Sequence, residues 1–387
     1  MKLIREGKEI LMKRILGLVM VAAVLCGCTT EKVDATTGAT PQTTLKVGVY
    51  ADRGPGGIGA VEWFRLIEES PDMELKLLDG ESVRKGGLDG LDVLVMPGGN
   101  SMDEYRSLGT NGVEKMKAFI RNGGGYIGTC AGCCLLMDGK MRARVFPWNT
   151  KGSEPDLFFP RFKLTEAGQK ALGISTNTVV MRYHGGPFMW PTTNRIEGAR
   201  FELWGTYDSE ATFRGRVNPK KQMHGAAAIV GGTYGKGRVF ATSAHPEYFE
   251  RTLYVIRGAF KYVTGCDVTF PVRIRKPRAI SVGFLAKGIS GVTTAETALA
   301  LARDPDLDLV LIDKDGIFMR RMDNIDVLVV TSAAPKKDRV LARAIADFAA
   351  RGGKVVGYGD GVKALPEGGV ACGPREGVVK AIHGLFK

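Results

Sequence analysis

Gly123-Gly124-Gly125-Tyr126-Ile127-Gly128-Thr129-Cys130-Ala131-Gly132 reads as a short buried strand that runs through a tight turn into a helix. Cys130 stands at the turn, with Thr129 before it and the small pair Ala131-Gly132 after it. A sharp strand-to-helix turn pushes its central residue toward strained backbone angles. It also lifts that side chain to the carboxyl end of the sheet, where α/β sites form. A thiol there meets the unpaired N–H groups and the dipole of the helix start. Both favour the thiolate, which is the attacking species. The stretch therefore predicts a fold class and a nucleophile together.

Upstream of it the pattern is consistent with that prediction. Leu45–Tyr50 (LKVGVY), Met73–Leu78 and Leu91–Met96 (LDVLVM) are apolar, β-branched runs that end at Gly- or Pro-rich turns. Ala60–Glu69 has helical spacing through Val61, Phe64, Leu66 and Ile67, and Val113–Arg121 reads as a further helix. Strands and helices alternating at this interval predict an α/β fold, a parallel sheet with helices on both faces. The chain has 387 residues, 44% hydrophobic and 25% charged, enough for two domains with real cores and too apolar for wholesale disorder.

The plan recurs. Ile280–Leu285 (ISVGFL) matches the first strand and Ile325–Val330 (IDVLVV) matches LDVLVM. Gly352-Gly353-Lys354-Val355-Val356-Gly357-Tyr358-Gly359-Asp360-Gly361 matches the opening stretch. The offsets are 235, 234 and 229 residues, which predicts an internal duplication. Gly359 then falls where Cys130 stands, so the second copy is expected to be a degenerate α/β domain without the nucleophile. Expected boundaries are 45–270 for the first domain and 278–387 for the second, across a basic, Pro-containing stretch at 270–278.

Two further motifs complete a reaction centre. Ser243-Ala244-His245-Pro246-Glu247 follows the strand-like Arg238–Thr242 and sets an imidazole and a carboxylate two residues apart. A cysteine nucleophile needs a base, and the base needs an orienting carboxylate. Pro97-Gly98-Gly99-Asn100 follows a strand directly. Its glycines can turn N–H groups toward a developing oxyanion, with Ala131 N–H as second donor.

These three pieces, in this order, resemble the class I glutamine amidotransferase-like superfamily. Within it, Gly125-Tyr126-Ile127-Gly128-Thr129-Cys130-Ala131-Gly132 and Tyr183-His184-Gly185-Gly186-Pro187-Phe188 are similar to the biotin-protein ligase N-terminal domain family. The resemblance covers about Leu45 to Gly265. It implies a flavodoxin-like three-layer αβα sandwich, with Cys130 as nucleophile, His245 as base and Glu247 as its orienter. Gly98, Gly99 and Ala131 are then the oxyanion-hole residues, and Asn100, Tyr183, His184, Gly185 and Gly186 the substrate-binding candidates. No Gly-Arg-Gly-Arg-type adenylate loop and no synthetase motif accompany these pieces, so neither biotin transfer nor ATP-driven amidotransfer is expected. What the residues lead one to expect is a cysteine amidohydrolase acting through a thioester on a small amide or peptide-like substrate. Two alternatives stand beside it: a binding protein that keeps the fold without turnover, and a thiol-redox protein using Cys130 and Cys133 as a C-x-x-C pair.

The amino-terminal end reads as an address. Lys13-Arg14 precede an eleven-residue apolar run, Ile15–Leu25, followed by Leu25-Cys26-Gly27-Cys28. A spanning helix needs about 20 apolar residues, so the run fits a secretory signal better. The small-residue ending resembles a bacterial lipobox with Cys28 as the lipidated residue. Residues 1–27 are expected to be a lipoprotein signal peptide and 28–44 a flexible, Thr-rich tether. The chain is therefore expected in the cell envelope, lipid-anchored on a periplasmic or extracellular face. Residues 1–27 carry +3 of the formal net charge of +13, leaving +10. No nucleic-acid motif accompanies that charge. The four histidines are scattered without ligand spacing, so neither metal nor cofactor is expected.

Overall fold

A computed structural model of the chain describes residues 44–54, 57–155, 157–213, 216–217, 222–272, 279–285, 291–312, 321–332 and 338–387. The expected signal peptide, the expected tether up to residue 43, with Cys28, and residues 273–278 of the interdomain stretch lie outside them. Among the described residues no helix is long and apolar enough to cross a membrane.

Thr43–Lys387 forms one compact unit built on two sheets. The main path of the first, eleven-stranded sheet takes β1 (Leu45–Tyr50), β2 (Met73–Leu78), β3 (Val93–Met96), β4 (Gly125–Thr129), β5 (Arg161–Leu164), β6 (Thr178–Val180), β7 (Ala199–Tyr207), β8 (Ala227–Tyr234) and β9 (Gly237–Thr242), with Trp148–Thr150 and Met189–Pro191 joined off that path. Their order is β2-β1-β3-β4-β9-β8-β7-β5-β6. The block β2-β1-β3-β4-β9 is parallel. From β9 outward every pairing is antiparallel. The sheet is therefore mixed. Its parallel half matches the sequence reading, whereas the antiparallel extension is built from β5 to β8, which lie between Cys130 and His245 in the chain. β3 and β4 are buried along their whole length, as parallel strands covered on both faces must be.

Helices α1 (Gly57–Glu68) and α2 (Leu253–Thr264) cover one face, with Trp63, Phe64 and Phe260 in its core. The other face is covered by α3 (Ser101–Arg121) and the short α4 (Ala131–Leu136). The sequence reading starts a helix at Val113; α3 starts twelve residues earlier. Asn100 caps it, accepting from Met102 N at 3.0 Å and Asp103 N at 3.3 Å. Gly109, at φ +62 and ψ 174, breaks the helical angles midway and hides the apolar spacing of its first half.

The second sheet comprises β10 (Ile280–Leu285), β11 (Leu307–Ile312), β12 (Val327–Val330), β13 (Lys354–Gly357) and β14 (Val370–Ala371). It is parallel, in the order β11-β10-β12-β13-β14, the same winding as the parallel block of the first sheet. Equivalent atoms recur in detail. Lys46 N donates to Asp92 Oδ2 and Ser281 N to Asp326 Oδ2, each at 2.8 Å. The two halves also share one apolar core. Ala295, Leu299, Val378 and Ile382, from α5 (Val292–Arg303) and α6 (Glu376–Leu385), join the cluster of Trp63 and Phe64. Arg303 Nε donates to Glu68 Oε1 at 2.7 Å across the same contact.

Candidate active site

Cys130 sits between β4 and α4 at φ +49 and ψ −101, a conformation that side chains with a Cβ avoid. Such strain persists only where surrounding structure over-determines it, and it clusters at functional sites. Here Cys130 N donates to Thr242 O at 2.8 Å, and Gly132 N to Pro97 O at 3.2 Å. The turn is thus fastened to β9 on one side and to the glycine loop on the other. In the second sheet, Gly359 holds φ +54 at the matching point. The backbone of the turn is preserved there and the thiol is not.

His245 and Glu247 lie just past β9, where Pro246–Tyr248 forms a single 3-10 turn. That turn folds the carboxylate back onto the ring, leaving Glu247 Oε1 2.8 Å from His245 Nδ1. Both side chains are buried. Gly98 shows how Cys130 and His245 meet. A Cβ at that position would lie 2.5 Å from His245 Cε1 and 3.0 Å from Cys130 Cβ. The missing side chain of one loop residue is therefore what lets the two groups approach. Gly59, in the first turn of α1, does the same behind the dyad: a Cβ there would lie 2.8 Å from Glu247 Oε1.

Burial alone would lower the imidazole pKa. The charges of Glu247 and Cys130, and its hydrogen bonds to both, outweigh burial and push it up to about 9. The ring therefore holds a proton through neutral pH, as the partner of a thiolate should. Because the folded value exceeds the ordinary 6.5, this pairing stabilises the fold fully below pH 6.5 and is lost as pH rises through about 9. The Glu247→Gln variant removes the largest raising cause. Chemical denaturation of both proteins should show a stability difference that shrinks by about 2–3 kcal/mol across that window. A difference that stays flat with pH would show that Glu247 does not hold the imidazole proton.

The remaining site residues divide. Gly98 and Ala131 flank the nucleophile as the oxyanion reading requires, since the N–H of Ala131 opens α4 and has no partner within that helix. The side-chain oxygen of Asn100 is used as the cap of α3. Tyr183 is fully buried and structural: its hydroxyl donates to Gly186 O and accepts from Glu154 N, each at 2.8 Å. His184 contributes its backbone, because the Cys130 thiol donates to His184 O at 3.7 Å. Its side chain is exposed. Gly185 takes φ +75, and a Cβ on Gly186 would fall 1.9 Å from Ser243 O, so positions 185 and 186 require glycine. Cys133 turns away from Cys130, its sulfur 3.5 Å from Met189 Sδ in the core, and the five described cysteines are free thiols. This geometry gives no support to the redox alternative.

Three neighbours were not legible from spacing. Arg182 pairs with His245 in a backbone bridge and stacks its guanidinium 3.7 Å from the centre of the Tyr248 ring. Tyr248 meets the His245 ring edge-on at 5.4 Å. Glu104, on α3, is wholly buried, and burial first, then the charge of Cys130, holds its carboxyl well above the usual range. Tyr248 adjoins the His-Pro-Glu motif, which was the one available signal; Arg182 and Glu104 had none.

The family-model match falls on this half of the molecule. Residues 89–135 match the family model described as biotin-protein ligase, N terminal. That segment carries the biotin-protein ligase N-terminal signature. It holds β3, the glycine loop, α3, β4 and Cys130, and ends before His245 and Glu247. No curated protein matches the chain. Among solved structures, PurLQS from Thermotoga maritima aligns at 13% identity over 57% of this chain and 99% of its own, with a TM-score of 0.40. A glutamine amidotransferase aligns at 19% identity over 57% of this chain and 99% of its own, with a TM-score of 0.38. A ThuA-like protein from Bacteroides uniformis aligns at 9% identity over 60% of this chain and 98% of its own, with a TM-score of 0.42.

Proposed function

We propose that the chain is an exported, lipid-anchored amidohydrolase that attacks a carboxamide or peptide-like amide with Cys130. The observation that carries this reading is the approach of Cys130 and His245 over the missing Cβ of Gly98, with Glu247 on the far ring nitrogen. His245 already carries the proton at neutral pH, and Cys130 adds to the carbonyl carbon as the thiolate. The oxyanion that forms is met by Ala131 N–H and the glycine loop. Breaking the C–N bond returns the proton from His245 to the leaving nitrogen and leaves a thioester. Water, deprotonated by His245, then adds to the thioester and the C–S bond breaks, releasing the carboxylic acid and restoring the Cys130 thiolate beside a protonated His245. Export and anchoring rest on the basic, apolar and small residues from Lys13 to Cys28.

One experiment tests both halves. Protein isolated from the cell envelope is treated with less than one equivalent of iodoacetamide and read by mass spectrometry. The label is expected on Cys130 ahead of the other cysteines, and a diacylglycerol mass on an amino-terminal Cys28. Label spread evenly over the thiols would remove the catalytic half; a chain that begins elsewhere would remove the anchor.

A further inference from the structure

Arg182 reaches the site twice. Its carbonyl accepts from His245 N at 2.9 Å, in the isolated antiparallel bridge that joins the two residues. Its guanidinium, on a residue only 4% exposed, lies 3.7 Å from the centre of the Tyr248 ring. Tyr248 in turn meets the His245 ring at 5.4 Å and 77°, the T-shaped packing that aromatic rings favour. Gly59 leaves room for that contact: a Cβ there would lie 3.2 Å from Tyr248 Cε2 and 3.4 Å from His245 Nδ1. Arg182, Tyr248 and His245 thus stand in a row, delivered by two chain segments that are also tied through their main chains.

A histidine ring turns about a soft terminal torsion with broad wells. The contact between Glu247 Oε1 and Nδ1 at 2.8 Å fixes one ring nitrogen. One such contact is a pivot, and a ring that rocks about it carries its other nitrogen off the Cys130 sulfur. Packing against the body of the ring removes that freedom. The packing group must itself be held, and a desolvated cation over an aromatic face holds it more firmly than one in water. We propose that Tyr248 is a positioning residue for the base, a wall that Arg182 clamps in place so that the imidazole keeps its bearing on Cys130. No covalent bond changes in this role. It rests on Cys130 and His245 being nucleophile and base.

The test is the pH–rate profile of Cys130 alkylation by iodoacetamide in the full chain, for wild type, Tyr248→Phe, Tyr248→Leu and Arg182→Met, with thermal unfolding of each. Leucine keeps an apolar side chain and loses the wall. Its rate at neutral pH should fall about tenfold, with the profile moved up by about one unit, because the thiolate loses an oriented imidazolium. Phenylalanine keeps the ring and should stay within about threefold of wild type. Arg182→Met leaves the ring in place and the main-chain bond to His245 intact, and removes only the clamp. Its profile should move up as well, with a loss of about threefold or more. A Tyr248→Leu or Arg182→Met profile that superimposes on wild type would overturn the proposal. So would a Tyr248→Phe loss as large as that of leucine, or slower alkylation with no displacement along the pH axis. Should Tyr248→Leu not fold, Arg182→Met decides alone. Failure of wild-type Cys130 to label preferentially would instead strike the nucleophile assignment, and this role with it.

Discussion

Cys130→Ala is expected to bind amide substrates and turn over none of them, a loss of at least about a thousandfold in kcat. Only the sulfur is removed. His245 keeps Glu247 at 2.8 Å, and the glycine loop keeps its place against the turn through Gly132 N and Pro97 O. Residual hydrolysis would be what the oxyanion donors provide alone, since nucleophile and base act as a unit. A companion variant, Cys130→Gly, separates chemistry from folding. At φ +49 a glycine is unstrained, as Gly359 is at φ +54 in the second copy. Cys130→Gly should therefore be equally inactive and more stable, by about 1 kcal/mol. Steady-state turnover and calorimetric melting read the two effects. If Cys130→Ala bound ligand as wild type does and no turnover were found in either, the protein would be a binder that kept the fold. Turnover undiminished in Cys130→Ala would end the thioester mechanism.

Gly132→Ala is expected to cost about 4 kcal/mol or more, at the exceptional end for one methyl group. A Cβ at Gly132 would fall 2.1 Å from Met96 O and 2.7 Å from Met96 Cβ. Met96 ends β3, wholly buried, so neither partner can yield without moving the strand. The same contact exists in the second sheet, where a Cβ at Gly361 would fall 2.1 Å from Val330 O. Gly361→Ala should destabilise similarly while leaving the Cys130–His245 geometry alone. Gly384 in α6 serves as the control: nothing lies within 4 Å of an added Cβ, and alanine in a helix should stabilise by about 0.5–1 kcal/mol. Denaturant midpoints at unchanged slope are the measurement. A Gly132→Ala midpoint close to wild type would mean that the turn is not held against β3 as closely as this packing requires.

The paired glycines explain why so much of the fold was readable. A strand-to-helix turn pressed on a neighbouring carbonyl tolerates no Cβ, so the requirement is written into residue type at Gly132 and again at Gly361. Gly48 and Gly283 repeat the same lesson in mid-strand: a Cβ there would lie 2.6 Å from Leu91 Cδ1 in the first copy and 2.4 Å from Ile325 Cδ1 in the second. Cys130, His245 and Glu247 were readable for a related reason. Cys130 directly follows β4, and His245 and Glu247 lie three and five residues past the end of β9; strand ends can be found from local pattern alone.

What local pattern misses is any role conferred by a partner far away in the chain. Asn100 was read as a substrate contact and works as a helix cap, because the first turn of α3 is hidden by its polar residues and by the break at Gly109. His184 acts through its carbonyl, which depends on a strap held by Tyr183, Glu154 and Ser243. The sharing of one core by both sheets follows from helix packing between α1 and α5, which no single amphipathic stripe specifies.

The residues in order therefore determined the parallel strands, the turn geometry and the positions of Cys130, His245 and Glu247, since each is dictated within a few positions by sterics and alternation. Tertiary structure alone decided the antiparallel extension, the approach of Cys130 to His245 across 115 positions of chain, and the enclosure of Glu104. Those depend on which surfaces meet, and burial is a property of the assembled core that no short window of sequence contains.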